Sequence, residues 1–137
     1  MKQKYDRNKS AENYKEKYEK YKRELQKINN LPIERIVEIG KEIGRDLSSN
    51  ISTTQIYKFL DAVRRIQAKF DSDKVILLRP KLAYLVGREK KEKKLKSLIS
   101  VLDPAIMSAY KDRDSFQKLV YFIESIVAYH RFYRGKD

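Results

Sequence analysis

The side chains of this chain best suited to chemistry are cations and aromatic rings. They come closest together in Leu78-Arg79-Pro80-Lys81-Leu82-Ala83-Tyr84-Leu85-Val86-Gly87-Arg88. Proline suits the first position of a helix, where its missing N–H is not needed. A short helix opened by Pro80 places Leu82, Leu85 and Val86 on one side and Lys81, Tyr84 and Arg88 on another. Two cations and a ring on one face suit a phosphate chain with a base beside it. The plainer reading of the same face is a solvated helix surface with a tyrosine lying along it.

Other chemistries are poorly supplied. The chain has no cysteine, which excludes disulfides, thiolate catalysis and cysteine-held zinc. The single histidine, His130, falls on an apolar stripe and reads as a satisfied core or interface residue rather than a general acid or base. Carboxylates are scattered among lysines with no metal-ligand spacing, so neither a metal nor a cofactor is expected. There is no phosphate-binding glycine loop and no convincing nucleophile–base set. A metal-independent ribonuclease using His130, lysine and tyrosine stays open as an alternative that nothing favours.

What the chain has in excess is positive charge. Of 137 residues, 32 are Lys or Arg against 19 Asp or Glu, a formal net charge of +13. A field of that sign attracts nucleic acid, an anionic membrane surface or an acidic protein. No apolar run approaches the length of a membrane span, so a soluble cytoplasmic protein without membrane contact is expected. A hydrophobic content of 41% is enough for a real core.

The elements that must position these cations are helices. From about Lys4 to Asn29 neither proline nor glycine interrupts the chain, and Ala11, Tyr14, Tyr18, Tyr21, Leu25 and Ile28 form a narrow stripe. Residues 1–30 therefore read as a helical arm docked on something else, a second subunit being one option and a lysine-rich solubilising tail the other. Residues 31–137 read as the main domain. Leu31-Pro32 starts a helix with Ile33, Ile36, Val37, Ile43 and Leu47 on its apolar face. Gly40 and Gly44 lie one turn apart in it, each costing about 1 kcal/mol relative to alanine. Close approach of another backbone is the compensation to expect.

Ser52-Thr53-Thr54-Gln55 fits a capping box. The helix after it buries Ile56, Phe59, Leu60, Val63, Ile66 and Phe70 and turns Lys58, Asp61, Arg65 and Lys69 outward. Asp71-Ser72-Asp73 reads as a turn and cap, and Val75-Ile76-Leu77-Leu78 as a buried helical turn. Glu89-Lys90-Lys91-Glu92-Lys93-Lys94-Leu95-Lys96 is the most basic short run. It is either a nucleic-acid patch or the solvated start of a helix. That helix buries Leu95, Leu98, Ile99 and Leu102, and Asp103-Pro104 kinks or restarts it. Asp114 is expected to cap the last helix. One stripe of this helix is Phe116, Leu119, Val120, Ile123, Val127 and His130; another is Phe122, Ile126, Tyr129 and Tyr133. A helix apolar nearly all round is buried nearly all round, so this one is the bundle centre or carries a subunit contact on its second stripe. The expected fold is all-α, a bundle of about five to six helices with an N-terminal helical arm.

Three blocks stand in order: Ile51 to Leu60, Leu78 to Arg88, and Phe116 to Tyr129 continuing into His130. This set resembles the helical small subunit of the type III-A CRISPR effector, the Csm complex, from about Leu31 to the C-terminus. Arg79-Pro80-Lys81-Leu82-Ala83-Tyr84 followed by Gly87-Arg88 is the most specific part. The resemblance implies a non-catalytic subunit that stacks in copies along guide RNA and target RNA, against the backbone subunits and below the large subunit. It also implies that a basic surface holds the RNA, above all the target strand. Lys58, Arg79, Lys81 and Arg88 match basic positions of the family pattern. Tyr57 stands where that pattern usually has arginine, so stacking would replace a phosphate contact there.

The residues read alone agree: a small all-α domain with basic-aromatic faces and no catalytic set is a binding module. The expected RNA-binding surface is Lys58, Arg79, Lys81, Tyr84 and Arg88, extended by Arg64, Arg65 and the run from Lys90 to Lys96. Phosphate contacts should dominate, with weak sequence preference. The alternative to RNA is a stand-alone basic protein that binds duplex DNA or a membrane surface.

Overall fold

The last helix organises the packing. In a computed structural model that describes residues 2–87 and 93–135, with side chains for 13–87 and 96–135, helices run as follows. They are α1 (Lys2–Leu25), α2 (Ile33–Leu47), α3 (Thr53–Ala68), α4 (Ser72–Ile76), α5 (Leu78–Gly87), α6 (Lys93–Ala109) and α7 (Arg113–Arg134), with a 3-10 turn at Ile28–Asn30 between α1 and α2. No strand occurs among the described residues. The fold is all-α, as its periodicity requires.

Helix α7 lies at the centre, against α2, α3, α6 and the 3-10 turn. Its first stripe, Phe116, Leu119, Val120, Ile123, Val127 and His130, is buried throughout. Phe122 and Ile126 of the second stripe are buried as well, while Tyr133 at its end is exposed. Helix α2 covers them with Ile36, Ile39, Ile43 and Leu47. The two glycines of α2 explain how closely these helices lie. A Cβ added at Gly40 would stand 2.6 Å from Ser125 Cβ, and one at Gly44 would stand 2.5 Å from the Ile126 carbonyl oxygen and 2.8 Å from the His130 amide nitrogen. The helix-propensity cost of both glycines is thus offset by backbone-to-backbone contact along α7.

Helix α1 docks on its own chain. Tyr18, Tyr21 and Leu25 are buried, and α1 packs chiefly on α6. The Tyr18 hydroxyl donates to Asp46 Oδ2 of α2 at 2.8 Å, and Lys17 Nζ reaches the same oxygen at 3.1 Å. Arg35 donates to both Glu24 carboxylate oxygens, at 3.0 and 2.9 Å. Ser108 Oγ of α6 donates to the Leu25 carbonyl at 2.9 Å, and Lys118 Nζ donates to the carbonyls of Asn29 and Leu31 at 2.8 and 2.7 Å. These bonds satisfy carbonyls left without intrahelical donors at the end of α1 and at the 3-10 turn that follows it. The tyrosine stripe therefore needs no second subunit to cover it.

Several boundaries differ from the sequence expectation. Asp112, not Asp114, caps α7: its backbone is extended and its carboxylate accepts from the Ser115 amide at 2.8 Å. Asp114 sits in the first turn, where the helix dipole favours its charge. Helix α5 begins at Leu78, so Pro80 is its third residue rather than its first. Proline is tolerated there because the amides of the first turn have no intrahelical acceptor. Within Val75–Leu78, Val75 and Leu78 are buried but Leu77 is 55% exposed. Helix α6 passes through Pro104 without restarting, held by the buried Val101, Leu102, Ala105 and Ile106 on either side. The expected caps at Ser52, accepting from the Gln55 amide at 3.2 Å, and Asp71, accepting from the Asp73 amide at 2.9 Å, are present.

Candidate nucleic-acid interface

Helix α3 is amphipathic. Ile56, Phe59, Leu60, Val63 and Ile66 face inward, and Lys58, Asp61, Arg64 and Arg65 face solvent. Helix α5 buries Leu78, Leu82 and Val86 and leaves Lys81 and Tyr84 outside. Where α5 lies beside α3, their outer edges enclose an open groove of about 530 Å³. One wall carries Gln55, Lys58, Asp61 and Arg65. The other carries Lys81 and Tyr84, with Phe59, Ala62 and Leu85 also lining the groove. That volume is in the range that admits one small organic ligand or nucleoside.

The groove is positively charged and its charges are available. Among the described residues, Lys58, Arg65 and Lys81 make no ion pair, although the Asp61 carboxylate shares their groove. Unpaired cations held by two rigid helices keep their hydrogen-bond donors for an external anion. Tyr84 is 72% exposed, which leaves most of its ring open to a partner.

The other expected residues lie elsewhere. Arg64 is exposed on α3 but does not line the groove. Arg79 points to another side of α5, into a shallow hollow with Ile76, Leu77, Pro80 and Ala83. There its guanidinium makes a bidentate pair with Asp103 of α6, at 2.6 and 3.0 Å, and those hydrogen bonds raise its already high pKa further. Arg88 and the side chains of the basic run up to residue 95 lie outside the described residues, and Lys96 is exposed. The structure thus brings Lys58, Arg65, Lys81 and Tyr84 together and separates Arg79 from them. Sequence reading missed Gln55, Asp61 and Phe59 as groove residues. The i, i+3, i+7 and i+10 spacing of Gln55, Lys58, Ala62 and Arg65 carried a signal for that wall.

No catalytic arrangement accompanies the groove among the described residues. His130 is fully buried, and its Nε2 donates to the Ile51 carbonyl at 2.7 Å. Arg134 Nη1 reaches the same carbonyl at 3.0 Å and that of Ser48 at 2.7 Å, so both residues fasten the loop between α2 and α3 to α7. Among the described residues there is no cluster of three or more potential metal ligands, and no helix is long and apolar enough to cross a membrane.

Comparison with known proteins supplies the family. The family model described as Csm2 Type III-A matches residues 30–136. A curated protein of Streptococcus thermophilus, named CRISPR system Cms protein Csm2, is 34% identical over 94 residues, which cover 64% of this chain and 76% of that protein. No solved structure matches. A family model spanning most of the chain, joined to this level of identity across most of the relative, shows that the chain belongs to the Csm2 family, a structural small subunit of the type III-A CRISPR complex.

Proposed function

We propose that this chain is a non-catalytic RNA-holding subunit, and that the groove between α3 and α5 is where it grips the strand. The observation that carries this reading is the convergence of unpaired Lys58, Arg65 and Lys81 beside an exposed Tyr84. Phosphates supply the affinity and the ring supplies sequence-tolerant stacking. Arg64 extends the basic surface along α3, and in the sequence Arg88 and the run from Lys90 to Lys96 supply further cations. Arg79 contributes least, because an RNA phosphate must first compete with Asp103 for its guanidinium. The strands held are guide RNA and target RNA, chiefly the target. Residues 31–137 form the RNA-holding body, and the arm of residues 1–30 braces it through α6 and α2.

Copies of the chain stack along the RNA beside the backbone and large subunits, in the cytoplasm. The surface suited to protein contact is the outer edge of α2 and α7. Ile33 and Tyr121 are exposed there over a shallow apolar hollow, and Phe132 is 71% exposed near the end of α7. Each copy covers few phosphates, so stacking multiplies a modest single-copy affinity.

Charge reversal tests the groove. Lys81→Glu and Arg65→Glu should each weaken binding to single-stranded RNA. Each should also flatten the dependence of log affinity on log salt, by about 0.7 for every phosphate the variant no longer neutralises. Unchanged affinity and slope in both variants would place the RNA elsewhere. Tighter binding to duplex DNA or anionic vesicles than to RNA would overturn the reading, as would shortening of labelled RNA by the protein alone.

A further inference from the structure

The same groove contains a carboxylate and apolar side chains that a pure phosphate channel has no use for. Asp61 lies between Lys58 and Arg65 on one helical face, yet pairs with neither. Against a bare phosphate chain it would only repel. Phe59, Ala62 and Leu85 give the groove an apolar lining, and the Tyr84 ring stands exposed beside them. An apolar recess with a ring, an acceptor-only carboxylate and flanking cations matches a whole nucleotide rather than its phosphate alone.

We infer that the α3–α5 groove holds one unstacked base of single-stranded RNA, with Tyr84 stacked on the base and the Asp61 carboxylate accepting hydrogen bonds from its Watson–Crick edge. Unpaired bases are the ones whose edges and faces a protein can reach in RNA. A carboxylate with two oxygens accepts best from two adjacent donors. Guanine offers such a pair, N1–H and the N2 amine. Adenine and cytosine offer one exocyclic amine beside a ring acceptor, and uracil offers one N–H between two carbonyl oxygens that Asp61 repels. Guanine is therefore the favoured occupant and uracil the least favoured. Lys58, Arg65 and Lys81 take the flanking phosphates. This inference rests on the proposed RNA-binding role of the groove and adds a base preference at one position.

Amide chemical-shift titration of the full-length isotope-labelled protein tests it, since that measurement reads weak as well as tight binding. The probes are short oligouridylates carrying guanosine, uridine or an abasic ribose at the central position. The guanosine oligomer should bind about fivefold or more tighter than the uridine one, with shifts centred on α3 and α5. Asp61→Asn should erase that preference while leaving or raising affinity for uridine. Tyr84→Ala should lower affinity by about fivefold to a hundredfold and remove the advantage of a base over the abasic site. Both side chains are exposed, so the fold does not depend on them.

Equal affinity for all three oligomers, or parental binding by both variants, would overturn the base pocket. If Lys81→Glu still weakens binding in that case, the groove holds phosphates only and the broader reading survives. If Lys81→Glu and Arg65→Glu also bind as the parent does, or no oligomer shifts the groove amides, both readings fail together.

Discussion

Tyr18 and Tyr21 show how single side chains fasten the arm. Burial first, then the neighbouring Tyr14 hydroxyl and the Asp46 carboxylate, hold the Tyr18 phenol far above its usual range. Burial likewise pushes Tyr21 up to about 12. Both groups hold their protons more tightly folded than unfolded, so the stability they contribute is complete below the unfolded pKa of about 10. It is lost as pH rises from there through the folded values. Urea midpoints should therefore fall steeply between about pH 10 and 12. A Tyr18→Phe, Tyr21→Phe double variant should fall less over that window, and equal slopes would contradict the linkage. At neutral pH, Tyr18→Phe alone removes the 2.8 Å bond to Asp46 and should cost about 1–2 kcal/mol.

The α2–α7 pair makes the corresponding point for whole helices. Gly44→Ala gains about 1 kcal/mol in helix propensity but drives a methyl against the Ile126 carbonyl and the His130 amide. Backbone atoms cannot swing aside as a flexible side chain can, so the net effect should be a loss of about 1–3 kcal/mol. Gly87→Ala is the control: nothing stands within 4 Å of its Cβ position, and thermal unfolding should show it neutral or slightly stabilised. If Gly44→Ala melted as the parent does, the helices would not be as close as described. The need for a close partner at Gly40 and Gly44 was legible in the sequence, because two glycines inside an otherwise regular helix demand compensation. Which helix supplies it was not, since α7 lies some eighty residues away and no local pattern names it. Asp112 escaped notice for a smaller reason: Asp112 and Asp114 are both acceptable caps, and only the extended backbone at Asp112 chooses between them.

For the molecule entire, two separate surfaces matter most. The basic groove lies between α3 and α5, while exposed Ile33, Tyr121 and Phe132 mark the edge of α2 and α7. If the latter joins copies, Phe132→Glu should shift sedimentation of the purified protein toward the monomer without altering helix content. Identical sedimentation of parent and variant would exclude this edge from self-association. Helix order, the inward faces of α3 and α7 and the burial of His130 were readable from residue order, whereas on α2 the expected Ile33 is exposed and Ile39, outside the expected stripe, is buried. The readable features depend on periodicity and capping, which act within a few turns of chain. The meeting of Lys58 and Arg65 with Lys81, the diversion of Arg79 to Asp103 and the docking of α1 on its own body were not. Those depend on how one finished helix lies against another, and that is set by side chains filling the space between elements distant in the chain.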